Sequence, residues 1–225
     1  MSVNIEAYTQ LNKELTSVNV ILVAVSKTKP AEDIQTLYNA GQRDFGENYV
    51  QELVDKQAAL PNNIRWHFIG HLQSNKVKYI APFAHLVHGV DSIKLLKEIN
   101  KQAEKNNRVI SCLLQVHIAQ EETKFGFDEQ ELLAINATEL AQLANVKVTG
   151  LMGMASFTED VNKVREEFKY LKGLFDAFSS KMSAVNTSLS TLSMGMSSDY
   201  TIAVEEGSTM VRVGSLLFGA REYKK

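Results

Sequence analysis

Lys27 follows the apolar run VNVILVAVS (18–26) and opens the segment KTKP, so a primary amine stands where a buried strand gives way to a loop. Side chains alternate along a strand, which sets Lys27 in phase with Ile21, Val23 and Val25. An apolar setting disfavours the ammonium form and leaves a neutral amine able to attack a carbonyl, which is the chemistry of Schiff-base formation. Position alone leaves a second reading open, a strand-end lysine whose long stem carries its charge to solvent. Lys29 has the same chemistry to offer. It precedes Pro30, however, which biases it to extended backbone and a solvated loop.

The second residue that requires an explanation is Arg212, a permanent cation between Val211 and Val213 in MVRVG. A buried guanidinium must have an acceptor. A carboxylate would serve, and so would a pyridine nitrogen. The latter choice has a chemical consequence, because a donor that keeps its proton does not protonate the ring and leaves it a weak electron sink. Small polar residues gather nearby in the sequence. SMGMSSD (193–199) has Gly195 for close backbone approach and Ser197 and Ser198 at a helix start, and Gly214 and Ser215 follow the last strand. In α/β barrels, the loops after strands seven and eight form phosphate sites with a helix N-terminus. Either loop alone also reads as an ordinary capped turn. Both together, opposite a strand-end lysine, point to a phosphate.

His67, His71, His85, His88 and His117 lie in or near different strands, and none of them pairs at the spacing of a helical metal motif, so no metal site is expected. Lys124, in the loop EETKFGF, reads as a solvated charge, and the terminal lysines 224 and 225 as frayed chain.

These residues need a frame, and the pattern along the chain supplies one. Residues 5–15 have helical spacing. Strands are expected at 18–26, 43–48, 64–70, 85–91, 108–118 and 146–154, in SLSTLSMG and in STMVRVGS, with helices between them. Ser92 caps one helix, and Asp128 with Glu131 forms a capping box on another that carries Leu132, Leu133, Leu140 and Leu143. The longest helical pattern runs from Val161 to Val185, and Ser198 is placed to open a short helix that ends at Gly207. Strands alternating with helices imply parallel βαβ units, and eight of them match a single (β/α)8 TIM barrel, an α/β fold, with an extra N-terminal helix. An open doubly wound sheet would carry a glycine-rich loop after the first strand, where VSKTKP has no glycine.

Length and composition fit one domain spanning 1–225. Hydrophobic residues are 44% and charged residues 22%, which excludes disordered and fibrous classes. A net charge of -2 with mixed signs gives no basic field for nucleic acid, so none is expected as a partner. Cys112 is the only cysteine, so no intramolecular disulfide forms. The first 18 residues contain no apolar signal-like run and no later stretch has the length of a membrane span. A cytoplasmic protein without membrane partners is the expectation.

The segments VSKTKP (25–30), GQRDFGENYVQE (41–52), WHFIGHLQSNK (66–76), GLMGM (150–154), SMGMSSD (193–199) and GSTMVRVGSLLFGAR (207–221) resemble the pyridoxal phosphate homeostasis protein family. The resemblance spans almost the whole chain. It implies a barrel like the N-terminal domain of alanine racemase, with pyridoxal 5'-phosphate (PLP) held as an internal aldimine on Lys27 and Arg212 facing the pyridine nitrogen. It further implies that Ser197, Gly214 and Ser215 hold the phosphate, with Gly195 nearby. Asn48 lies near the ring, Met154 and Ser193 complete the cofactor-binding set, and His71 is a weaker counterpart. The family supplies and buffers PLP without established turnover, so apo PLP-dependent enzymes are the implied recipients. The alternative is a PLP-dependent racemase or Schiff-base lyase. That needs a second acid or base, which the sequence does not nominate. Racemases of related fold carry the opposing tyrosine on a second domain, and none is expected in a chain that ends soon after its eighth strand.

Overall fold

The apolar run before Lys27 folds as β1 (Ile21–Val25). Seven strands follow: β2 (Asp44–Glu47), β3 (Arg65–Phe68), β4 (Leu86–Val90), β5 (Ile110–Gln115), β6 (Val146–Met152), β7 (Thr187–Ser193) and β8 (Met210–Val213). In this computed structural model, which describes residues 3–119, 125–182 and 187–219, each strand pairs in parallel with the next and β8 closes on β1. Parallel neighbours require crossovers. These contain α2 (Ala31–Asn39), α3 (Val50–Ala59), α4 (Val77–Ile80), α5 (Ile93–Lys105), α6 (Glu129–Ala134), α7 (Ala137–Ala141), α8 (Val161–Lys181) and α9 (Tyr200–Glu205). Before the barrel lies α1 (Ile5–Ser17), and after it α10 (Ser215–Phe218). The eight-stranded barrel and the N-terminal helix are those expected from the sequence. Among the described residues no helix is long and apolar enough to cross a membrane.

Three helix boundaries depart from the sequence pattern. The leucines of 132–143 sit on two helices, because Ile135 leaves helical geometry at φ -56 and ψ 126. Asn136 then caps α7, its side chain accepting from Thr138 N at 2.8 Å. An asparagine competes for backbone donors in this way, and the competition overrides the apolar period. α8 ends at Lys181, where Met182 turns extended, and Val185 lies outside the described residues. α9 begins at Tyr200 instead of near Ser198, because the Asp199 carboxylate turns back to accept from Met196 N at 2.5 Å.

Alternation along each strand divides the core in two. Outward residues such as Phe45, Trp66 and Phe68 join the large apolar cluster beneath the helices, including Phe168 and Phe178 of α8. Inside the barrel, Val23, Leu86, Leu113, Met152 and Met210 form a smaller apolar cluster. Beside it runs a buried polar column of Asp44, His67, His88, Ser193 and Arg212. β4 and β7 are not neighbours, so the contact between His88 and Ser193 passes through the barrel interior.

Candidate functional site

A cavity of about 520 Å³ opens at the carboxyl ends of the strands, the end at which barrels of this kind place their chemistry. Lys27 enters it from the turn after β1, Asn48 from the end of β2, and Met154 from beyond β6. Ser197 comes from the β7 loop, and Arg212, Gly214 and Ser215 from β8 and the start of α10. The remaining two expected contacts lie elsewhere. Ser193 is fully buried one layer below, against Arg212. Gly195, at φ +95, packs on α9, where an added Cβ would stand 2.6 Å from Ala203 Cβ. It shapes the loop without lining the cavity.

Lys27 is positioned from both sides. The preceding Ser26 donates its hydroxyl to Glu47 Oε1 at 2.6 Å, and its carbonyl accepts from Lys56 Nζ at 2.8 Å. The following Thr28, at φ +64, donates its amide to Glu52 Oε1 at 2.6 Å. Lys56 ties these anchors together, reaching Glu47 at 2.7 Å and Glu52 at 2.6 Å. Burial pushes the Glu47 carboxyl up, opposed by Lys56 and the Ser26 hydroxyl. The i,i+4 spacing of Glu52 and Lys56 is visible in the sequence, but their reach to the Lys27 turn is not.

Lys29 differs from its expected solvated state. It is half-buried, lines the same cavity, and donates to the Phe218 carbonyl at 2.8 Å, at the C-terminus of α10, where a cation is favoured. Ile69, Phe157, Met196 and Leu216 also line the cavity without having been singled out by their sequence context.

Arg212 is only 4% exposed, and its acceptors are neutral: Ser193 Oγ at 2.6 Å and the Gly153 carbonyl at 3.0 Å. Burial lowers its pKa to about 10, with the nearby Asp199 charge working the other way. Among the described residues no carboxylate forms an ion pair with it, so the carboxylate acceptor considered from sequence is not the contact found. Two residues beyond Arg212, the Gly214 amide donates to Ser197 Oγ at 3.1 Å, which draws the β7 and β8 loops together beside Ser215. Asn48 Oδ1 is buried and has no hydrogen-bond partner among the described residues. An orphaned acceptor on a cavity-lining side chain fits a ligand that brings a donor.

The histidines lie off the cavity. His71 pairs with Asp91 at 3.1 Å and stacks on Phe125 at 3.9 Å. His67, His85 and Asp44 bring their ligand atoms within 4.8 Å of one another, a proximity that sequence spacing did not reveal. Asp44 is already engaged there by Arg65 and His67. Burial alone would raise the Asp44 pKa, but hydrogen bonds from His67 and Arg65, together with the Arg65 charge, hold it at about 2. Lys124 and the terminal lysines lie outside the described residues.

Comparison with known proteins identifies the frame. The family model of the alanine racemase N-terminal domain matches residues 4–222. The pyridoxal phosphate homeostasis protein of Aquifex aeolicus is 44% identical over 203 residues, covering 90% of this chain and 87% of that protein. The chain belongs to the pyridoxal phosphate homeostasis protein family. The human family member is 38% identical, over 98% of this chain and 83% of its own length. PipY of Synechococcus elongatus, solved with PLP bound, superposes with a TM-score of 0.85 at 36% identity, covering 96% of this chain and 99% of that one.

Two outcomes follow from the anchoring groups. Replacing Lys56 with Met leaves Glu47 buried without its cation, and loss of one partner of a buried pair costs about 3–5 kcal/mol. A large drop in the urea midpoint is therefore expected, and an unchanged midpoint would contradict the bracing of the Lys27 turn. Asp44 has a folded pKa below its unfolded value, so its contribution is complete above about pH 4 and is lost as pH falls through about 2. Stability measured from pH 5 to pH 2 should fall by about 2–3 kcal/mol more in the parent than in Asp44→Asn. Parallel profiles would show that Asp44 is not held as described.

Proposed function

We propose that this protein binds PLP in the cavity at the carboxyl end of its barrel, with Lys27 as the attachment point, and holds and releases it without turning over a substrate. The observation that carries this reading is the convergence on one cavity of an amine, a buried cation and a small polar corner, contributed by Lys27, Arg212 and Ser197 with Gly214 and Ser215. PLP supplies an aldehyde, a pyridine nitrogen and a phosphate, and each finds a matching group. Lys27 provides the amine that condenses with the aldehyde, releasing one water. Ser197 and Ser215 hold the phosphate, with the Gly214 amide fixing Ser197 beside it. Asn48 accepts from the ring side. Membership of the pyridoxal phosphate homeostasis protein family and the similarity to PipY, solved with PLP bound, support a PLP site.

Arg212 argues for a carrier over a catalyst. Its pKa of about 10 stays far above that of a pyridine, so it donates a hydrogen bond to the ring nitrogen and keeps its proton. An unprotonated ring withdraws electrons weakly. Racemase or lyase chemistry also needs an acid or base opposite the amine. His67 and His88 lie beneath Arg212 in the barrel, and Lys29 is engaged by the Phe218 carbonyl. We read the whole chain as one cytoplasmic carrier unit whose recipients are apo PLP-dependent enzymes.

Borohydride reduction of the reconstituted protein, followed by peptide mass spectrometry, is expected to place the label on Lys27. Lys27→Ala should lose the label while keeping the parent's circular dichroism. Label on Lys29, or none on the parent, would overturn the assignment. With amino acids added, sustained racemisation or loss beyond one equivalent would make the protein an enzyme, whereas activation of an apoenzyme without such loss is the outcome expected of a carrier.

A further inference from the structure

Below the cavity, five buried side chains from five strands touch in series. Arg212 Nη1 meets Ser193 Oγ at 2.6 Å, Ser193 Oγ meets His88 Nδ1 at 3.1 Å, and His88 Nε2 meets His67 Nδ1 at 2.9 Å. His67 Nε2 then meets Asp44 Oδ1 at 2.9 Å, and Arg65 closes the series on the same carboxylate. Asp44 and Arg65 are the first residues of β2 and β3, so the series runs from the amino end of the barrel to the floor of the cavity. We propose that Arg212, Ser193, His88, His67 and Asp44 form a single one-way hydrogen-bond chain through the barrel, in which Asp44 fixes both histidine tautomers and so gives the Ser193 hydroxyl, the acceptor that orients Arg212, a partner for its own proton.

Donor and acceptor chemistry sets the direction. An ionised carboxylate only accepts, so His67 Nε2 carries a proton. With His67 neutral, its Nδ1 is bare and accepts from His88 Nε2–H. His88 Nδ1 is then bare as well and takes the Ser193 hydroxyl proton, which leaves the Ser193 oxygen to accept from Arg212. Every group donates the same way, toward Asp44. The reverse arrangement needs a charged His67, with His88 Nδ1–H and Arg212 both donating to Ser193. The Ser193 proton would then have no acceptor among the described residues, in a side chain with 0% exposure. It would also set a further cation between Arg212 and Arg65, with His85 beside His67. Burial pushes the His88 pKa well down, and the neighbouring His67, Arg212 and His85 act in the same direction.

The effect of the chain on the cofactor rests on the binding proposed above, but its direction is a property of the apoprotein, so the two can fail separately. Ser193, His88, His67 and Asp44 are positioning residues for Arg212. In apoprotein labelled with 15N-histidine, long-range proton–nitrogen correlation at pH 7 should show His67 and His88 as neutral Nε2–H tautomers. Asp44→Asn should convert them toward Nδ1–H, because Arg65 claims the amide oxygen and leaves the amide NH2 to face His67. Imidazolium or Nδ1–H signals in the parent, or an unchanged His88 in the variant, would overturn the proposal. Should Asp44→Asn fail to fold, Ser193→Ala and Ser193→Thr decide it in the PLP-loaded protein. The alanine variant is expected to shift the bound absorption band and weaken retention roughly tenfold, with threonine restoring both. A parental band and retention in Ser193→Ala would overturn it.

Discussion

A guanidinium buried at the base of the cavity, with two neutral oxygens as its acceptors, is the constraint around which the rest of this site is arranged. Burying a charge without a counter-charge in contact is tolerable only when hydrogen bonds replace the lost water. Here Ser193 and Gly153 provide them, and Asp199 adds a more distant favourable charge. The inner layers of a (β/α)8 barrel are ordinarily filled by branched apolar side chains. In this chain the apolar filling is reduced to a small cluster around Val23, Leu113 and Met152, and polar residues of five strands take the remaining space. That polar column supports the cation from below, while Arg212 also lines the cavity above.

On the adjoining strand β1 a different device holds the lysine. Lys27 lies beyond the last residue of β1, where a loop would ordinarily be free to move. The backbone of Ser26 and of Thr28 is instead tied to Glu47, Glu52 and Lys56, two carboxylates and an ammonium buried or nearly so. The brace thereby anchors the backbone on either side of Lys27.

Much of this was legible in the sequence, for physical reasons. Strands buried on both faces read as continuous apolar runs, and glycines and caps separate them from amphipathic helices, so the barrel follows from pattern alone. Lys27 and Arg212 stood out because a lysine in phase with an apolar row and an arginine inside a strand need special surroundings, and Ser197 and Gly214 because small polar residues follow the last two strands; all four line the cavity. Depth was harder to read. Ser193 and Gly195 belong to the same segment as Ser197, but the two-residue period turns Ser193 into the barrel and Gly195 packs on α9. The restriction that Pro30 places on Lys29 concerns backbone and says nothing of a side chain reaching Phe218, far along the chain. His67 and His88 are each the third residue of successive strands and share a phase with Arg212. That signal was present, but it gains meaning only once the strands are known to be neighbours.

In the proposed complex Arg212 meets the ring nitrogen of bound PLP as a donor that keeps its proton. Nitrogen NMR of the protein reconstituted with cofactor labelled with 15N at the pyridine position tests it most directly. The account predicts the chemical shift of an unprotonated, hydrogen-bonded pyridine nitrogen, moved when Arg212 is replaced by glutamine. A pyridinium shift in the parent protein would contradict it.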